Sequence, residues 1–109
     1  MEKAAIYYDA RMAGILSRTD SGFEFVYDAG YLKDPKAMPV SLSLPLTDAK
    51  YESPELFPFF EGLLPEGWLL DITSAAARID KENKFDMLLH IGGDALGAVS
   101  IRRLPEDSK

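Results

Sequence analysis

Apolar and polar residues alternate with a period of two in the first half of the chain and recur at helical spacing in the second. Residues 4–8 are short, apolar and partly β-prone. Asp9-Ala10-Arg11 supplies a turn, and residues 12–16 return, which is the pattern of a β-hairpin. Thr19-Asp20-Ser21-Gly22 is a second turn cluster. Residues 23–27 follow, with Phe23, Phe25 and Tyr27 on one face, the face expected to meet the core. Residues 31–39 read as irregular. Residues 40–46 alternate again and predict a strand with Val40, Leu42, Leu44 and Leu46 facing one way. Pro45 cannot donate to a sheet ladder and marks an edge or a strand end.

Past Ser53-Pro54-Glu55, read as a loose turn, the period changes. A helix is expected over 58–64, stopped by Pro65. A second runs from Glu66 or Gly67 to Arg78, with Trp68, Ile72, Ala75, Ala76 and Ile79 on one stripe. Asp80 can cap a third, in which Phe85, Leu88 and Leu89 share a face and Gly92-Gly93 forms the end. A last strand is expected over 97–101, then a polar tail. The fold class that follows is α+β: a small curved antiparallel sheet or partial barrel packed with two to three helices, in one domain over residues 1–109.

Charge and composition remove several function classes. With 12 basic and 18 acidic residues the net charge is -6, a poor surface for nucleic acid, so no direct contact with nucleic acid is expected. Arg102-Arg103 is read as a strand end. The chain has no cysteine, which excludes disulfides and thiolate metal sites and fits a reducing compartment. The N-terminus lacks the basic start and apolar run of a signal peptide. No segment reaches the roughly 20 apolar residues of a membrane span. A cytoplasmic protein without membrane contact is the expectation, and Met1 with the polar ending suits a complete chain.

Catalytic equipment is thin. His90 is the sole histidine and has no second histidine to share a metal. Neither Ser74 nor Ser100 sits in a nucleophile elbow. Gly92-Gly93-Asp94-Ala95-Leu96-Gly97 matches neither the dinucleotide fingerprint nor the phosphate loop, and would follow a helix where phosphate cradles precede one. Glu61, Glu66, Asp71 and Asp80 read as solvated helix charges and a cap. No catalytic residue, cofactor or metal is expected; an enzyme built on His90 and Asp94 is the weaker rival.

The most informative ten residues are Phe59-Phe60-Glu61-Gly62-Leu63-Leu64-Pro65-Glu66-Gly67-Trp68, which read as a helix end, a sharp turn and a new helix start. Two readings stay open for Trp68. Its stripe suits a core residue, and its place at a corner suits an interface anchor, a role in which tryptophan is enriched.

Taken with Gly14-Ile15-Leu16, Phe25-Val26-Tyr27, Tyr31-Leu32, Leu42-Ser43-Leu44-Pro45-Leu46, Ile91-Gly92-Gly93-Asp94 and Gly97-Ala98-Val99, this string resembles the N-terminal subdomain of the HipA-like serine/threonine kinases of bacterial toxin-antitoxin systems. The resemblance covers nearly the whole chain. In those kinases the nucleotide-binding loop, the catalytic aspartate and the metal-binding aspartate lie beyond this subdomain, so the resemblance implies a chain that is not an enzyme. It is similar in particular to the free-standing HipS family of the three-part HipBST systems. That likeness implies an antitoxin whose partner is a HipT-type kinase toxin, with a HipB-type DNA-binding protein possible in the same complex. Kinases of the family act on aminoacyl-tRNA synthetases. Trp68 departs from the polar residue usual at its place in the family. The expectation is that Trp68 projects into the kinase cleft and covers it, with Leu63, Leu64, Pro65, Glu66 and Gly67 holding it in place. An excised N-terminal subdomain of a full-length HipA-type kinase, structural and not inhibitory by itself, is the alternative.

Overall fold

The computed structural model describes residues 2–64, 67–80, 83–91 and 99–103. The first two expected strands form a hairpin, β1 (Glu2–Tyr8) and β2 (Arg11–Thr19), joined by Asp9-Ala10. Asp9 takes φ 54°, the left-handed region that aspartate enters more readily than most residues. The third strand, β3 (Gly22–Tyr27), returns along β2 after a turn at Asp20-Ser21. Gly22 is required there: its φ is 144°, and a Cβ would lie 2.2 Å from the Ser53 carbonyl oxygen.

Three further elements follow: the short α1 (Ala29–Leu32), β4 (Tyr51–Ser53) and the single-turn α2 (Pro58–Glu61). Then come α3 (Gly67–Ala77), α4 (Lys84–Ile91) and β5 (Val99–Arg103). The strands make one antiparallel sheet in the order β4-β3-β2-β1-β5. Its edges, β4 and β5, do not meet, so it is an open curved sheet and not a closed barrel, and the fold is α+β.

Curvature has a local cause. Between Ile6 and Tyr7 the β1–β2 register slips, leaving Ala13 as an extra residue on β2. A bulge of this kind bends and twists the strand that carries it. The Ala13 carbonyl accepts a 2.7 Å hydrogen bond from the Asp28 N–H, which extends the β2–β3 pairing by one residue and ties the start of α1 to the sheet. Next to it, a Cβ on Gly14 would lie 2.5 Å from the Val26 carbonyl and 2.9 Å from the Phe25 ring, so the close approach of β3 depends on glycine.

The core lies on one face of this sheet. Tyr51, Phe25, Leu16 and Ala4 stand in one cross-strand row, and Tyr27, Gly14, Ile6 and Ile101 in the next. Phe57 and Phe60 from around α2, Phe85 and Leu88 of α4, Tyr31 of α1, and Val40 and Leu44 of the long loop close over them.

Two expectations fail here. Residues 40–46 are not a strand: Ser41 and Leu44 form an isolated bridge around a tight turn, closed by a 3.0 Å bond from the Leu44 N–H to the Ser41 carbonyl. Val40 and Leu44 are therefore buried while Leu42 and Leu46 are exposed, which is alternation created by a turn and not by a pleat. The cap of α4 is Asn83 and not Asp80. Its Oδ1 accepts from the Asp86 N–H at 3.2 Å, and its Nδ2 donates to the Asp86 carboxylate at 2.8 Å. The expected helix end at Gly92-Gly93, Asp94, and the strand start at Gly97-Ala98 lie outside the described residues.

Candidate partner-binding site

The 59–68 corner is built on one buried ring. Phe60 is fully buried against Phe25 (centroids 5.8 Å apart), Phe57 (6.4 Å) and Phe59 (5.1 Å), in tilted and edge-on geometries that suit ring quadrupoles. Pro58 starts α2 at a position where its missing N–H costs nothing. Glu61 at the end of that turn is exposed and pairs with Lys84 of α4 at 2.5 Å. After Gly62 the chain winds on: the Leu63 N–H bonds the Phe60 carbonyl and the Leu64 N–H bonds the Glu61 carbonyl, both at 3.1 Å.

Leu63 and Leu64 are half-buried and pack on the core, so both help to fix the corner. Pro65 and Glu66 lie outside the described residues. Gly67 and Trp68 are the first two residues of α3, and the Trp68 side chain lies outside the described part.

The described part of α3 does not bury the stripe that its periodicity marks. Ile72 is 54% exposed, and Ala75 and Ala76 are exposed as well. The rings of Phe57, Phe60 and Phe85, with Leu88, are in the core cluster, and no residue of α3 among 71–77 is buried with them. Its C-terminus is well closed. The Arg78 N–H reaches the Ala75 carbonyl at 3.3 Å and the Ile79 N–H reaches the Ser74 carbonyl at 3.1 Å, the two bonds of a Schellman motif. Arg78 holds the left-handed position (φ 58°) that glycine usually takes. The Ser74 hydroxyl also donates to the Ile79 carbonyl.

α4 is locked to the sheet through Arg18. That guanidinium donates to Asn83 Oδ1 at 2.8 Å, pairs with Glu2, lies 4.0 Å from the Asp86 carboxylate, and sits 5.1 Å from the Phe85 ring centroid. Its cleft, about 580 Å³ and lined also by Phe23, Leu56 and Lys84, thus has its main cation committed to structure. His90 is exposed near the end of α4, and the Asp94 of the rival enzyme reading lies outside the described residues. Among the described residues no group of three or more metal-ligating side chains comes together, and no helix is long and apolar enough to cross a membrane.

A second feature, which the sequence reading missed, lies in the long loop. Tyr27 Oη accepts from the Val40 N–H at 3.1 Å and donates to the Leu44 carbonyl. Tyr31 Oη accepts from the Met38 N–H at 3.1 Å and donates to the Met38 carbonyl at 2.6 Å. Tyr51 Oη donates to the Pro45 carbonyl at 2.6 Å. The Tyr27 and Tyr31 rings stack, 6.3 Å apart and 7° from parallel. Burial pushes the Tyr27 phenol up to about 12 from its ordinary value of 10.0, against a smaller opposing effect of the Val40 N–H, so it stays a donor at neutral pH. Along this loop Met38, Leu42 and Leu46 are 53%, 95% and 37% exposed. The turn signal was present in Ser41 and Ser43, whose hydroxyls bond each other at 2.9 Å, with prolines at 39 and 45 on either side.

Residues 4–102 match the family model for the HipA N-terminal domain. The chain belongs to that family. A solved structure described as the "N-terminal domain of HipA toxin" superposes with a TM-score of 0.73 at 29% identity, covering 97% of this chain and 95% of that one. A protein of uncharacterised function from Haemophilus influenzae is 36% identical over 97 residues, which are 89% of this chain and 88% of that protein. A protein named "Putative kinase Y4mE" from Sinorhizobium fredii is 34% identical over 105 residues, 95% of this chain but only 24% of its own length. The HipA-family likeness thus holds over the 59–68 corner, α3 and the tyrosine-pinned loop alike, since all lie inside the matched span.

Proposed function

We propose that this chain is an antitoxin that binds a HipT-type serine/threonine kinase and neutralises it by covering its active-site cleft. The observation that carries the reading is the Haemophilus relative. This domain makes up 88% of that protein, so a HipA N-terminal domain occurs there with almost nothing else attached. A domain of this kind, separated from its kinase body, retains the surface that once faced that body. The exposed apolar stripe of α3, at Ile72, Ala75 and Ala76, is such a surface, and Trp68 begins the same helix. Phe60, Leu63 and Leu64 anchor the chain that leads into it.

In this proposal Trp68 enters the cleft, Leu63, Leu64, Pro65, Glu66 and Gly67 set its approach, and the chain performs no phosphoryl transfer of its own. A HipB-type DNA-binding protein joins through the kinase, in the cytoplasm where such a kinase meets its substrate. The second reading, an N-terminal structural subdomain of a longer HipA-type kinase, is favoured by the Sinorhizobium relative, in which the matched region is 24% of the protein. Co-expression with a HipT-type kinase, followed by affinity capture, separates the two. The antitoxin reading predicts a stable complex of separate chains with the kinase silenced; a kinase that neither captures this chain nor loses activity supports the structural reading.

A further inference from the structure

An exposed leucine alone needs no explanation, since apolar atoms cover much of any protein surface. The 38–46 loop is different because three hydroxyls from three elements are committed to holding it. Tyr27 of β3, Tyr31 of α1 and Tyr51 of β4 pin Met38, Val40, Leu44 and Pro45 by their backbone atoms. Val40 and Leu44 are driven into the core, and the turn between them lifts Leu42 almost wholly into water. Among the described residues Leu42, 95% exposed, gains almost no packing from its position. A fixed apolar tip has its main advantage in binding, where ordering it beforehand removes the entropy cost of ordering it on contact.

We infer that this loop is a second docking element, with Leu42 as a knob that enters an apolar depression on the kinase body and Met38 and Leu46 as its rim. The inference rests on the kinase-binding reading above. It commits to that occupant because of the Sinorhizobium relative, in which the domain is joined to the other three-quarters of the chain and so has a single large body to pack against. A contact made through Leu42, Met38 and Leu46 is apolar and should change little with salt, unlike one made through charged side chains.

The test is a titration of purified HipT-type kinase with the intact chain and with Leu42→Asp, Leu42→Met and Tyr51→Phe, at low and high salt, with circular dichroism and thermal melts on each variant. Leu42→Asp is expected to weaken binding about 100-fold, as loss of a central interface anchor does. Its melting temperature should be unchanged, because the side chain touches little. Leu42→Met should keep most of the affinity. Tyr51→Phe should weaken binding about 2–10-fold, the size of one hydrogen bond that orders the loop. If the intact chain binds and Leu42→Asp binds equally well, the loop is not a docking element while the kinase-binding reading stands. If the intact chain does not bind, both fall. If the chain alone sediments as a dimer that Leu42→Asp dissociates, the occupant is a second copy and the inference is overturned.

Discussion

Phe60 is the residue on which the corner depends. It is fully buried among three other rings, while Phe59, Leu63 and Leu64 of the same segment pack against the core only in part. Phe60→Ala should cost about 3–5 kcal/mol in urea denaturation, the range for a large aromatic lost from a packed core. Tyr27 is the equivalent residue for the loop. Tyr27→Phe leaves a buried Val40 N–H and a buried Leu44 carbonyl without their partner and should cost about 1–3 kcal/mol at pH 8. The pH dependence gives a separate check. The folded phenol titrates near 12 and the unfolded one near 10.0, so folding favours the protonated form. That part of the stability is fully present below pH 10 and is lost as pH rises from 10 towards 12, on the order of 2–3 kcal/mol across the range. The phenylalanine variant has no such loss, so the gap between the two proteins should narrow above pH 10.

At the scale of elements, α3 and α4 are held in contrasting ways. α4 has an asparagine cap, a buried face of Phe85, Met87 and Leu88, and the Arg18 contacts behind it. Asn83→Ala should cost about 1 kcal/mol for the cap alone, read from the shift in thermal midpoint. α3 has no buried residue among 71–77, and its described end is closed by a Schellman motif. Arg78 occupies a left-handed position that glycine takes without strain, so Arg78→Gly should stabilise the domain by about 0.5–1 kcal/mol.

The elements also mark how far the sequence could be read. The β1–β2 hairpin, β3, α3 and α4 were legible because period and turn chemistry are local properties. Asp9-Ala10 and Asp20-Ser21-Gly22 fixed the strand ends, and Phe25 and Tyr27 faced inward as their alternation required. β4 and α1 are too short, at three and four residues, to leave a pattern. The 40–46 loop had a strand's alternation, but hydroxyls of Tyr27 and Tyr51, distant in sequence, decided its path. The stripe on α3 was real, yet a periodicity does not say whether it faces a core or a partner. Asn83 displaced Asp80 as the cap because Arg18, on β2, holds it in place, which is a tertiary fact.

At the scale of the molecule, the fold is that of a HipA N-terminal domain: an open curved sheet, one face covered by α2, α4 and the long loop, and an α3 whose described residues Ile72, Ala75 and Ala76 are exposed. That arrangement suits a module that meets a larger body through its edge. Trp68, at the start of α3, is the residue by which neutralising that body can be told from merely touching it. The direct measurement is growth of cells that express a HipT-type kinase together with this chain or with its Trp68→Ala variant, with folding of the variant checked by circular dichroism. The account predicts that the intact chain restores growth and that the folded variant does not. Growth equally restored by Trp68→Ala, or no rescue by the intact chain, would contradict it.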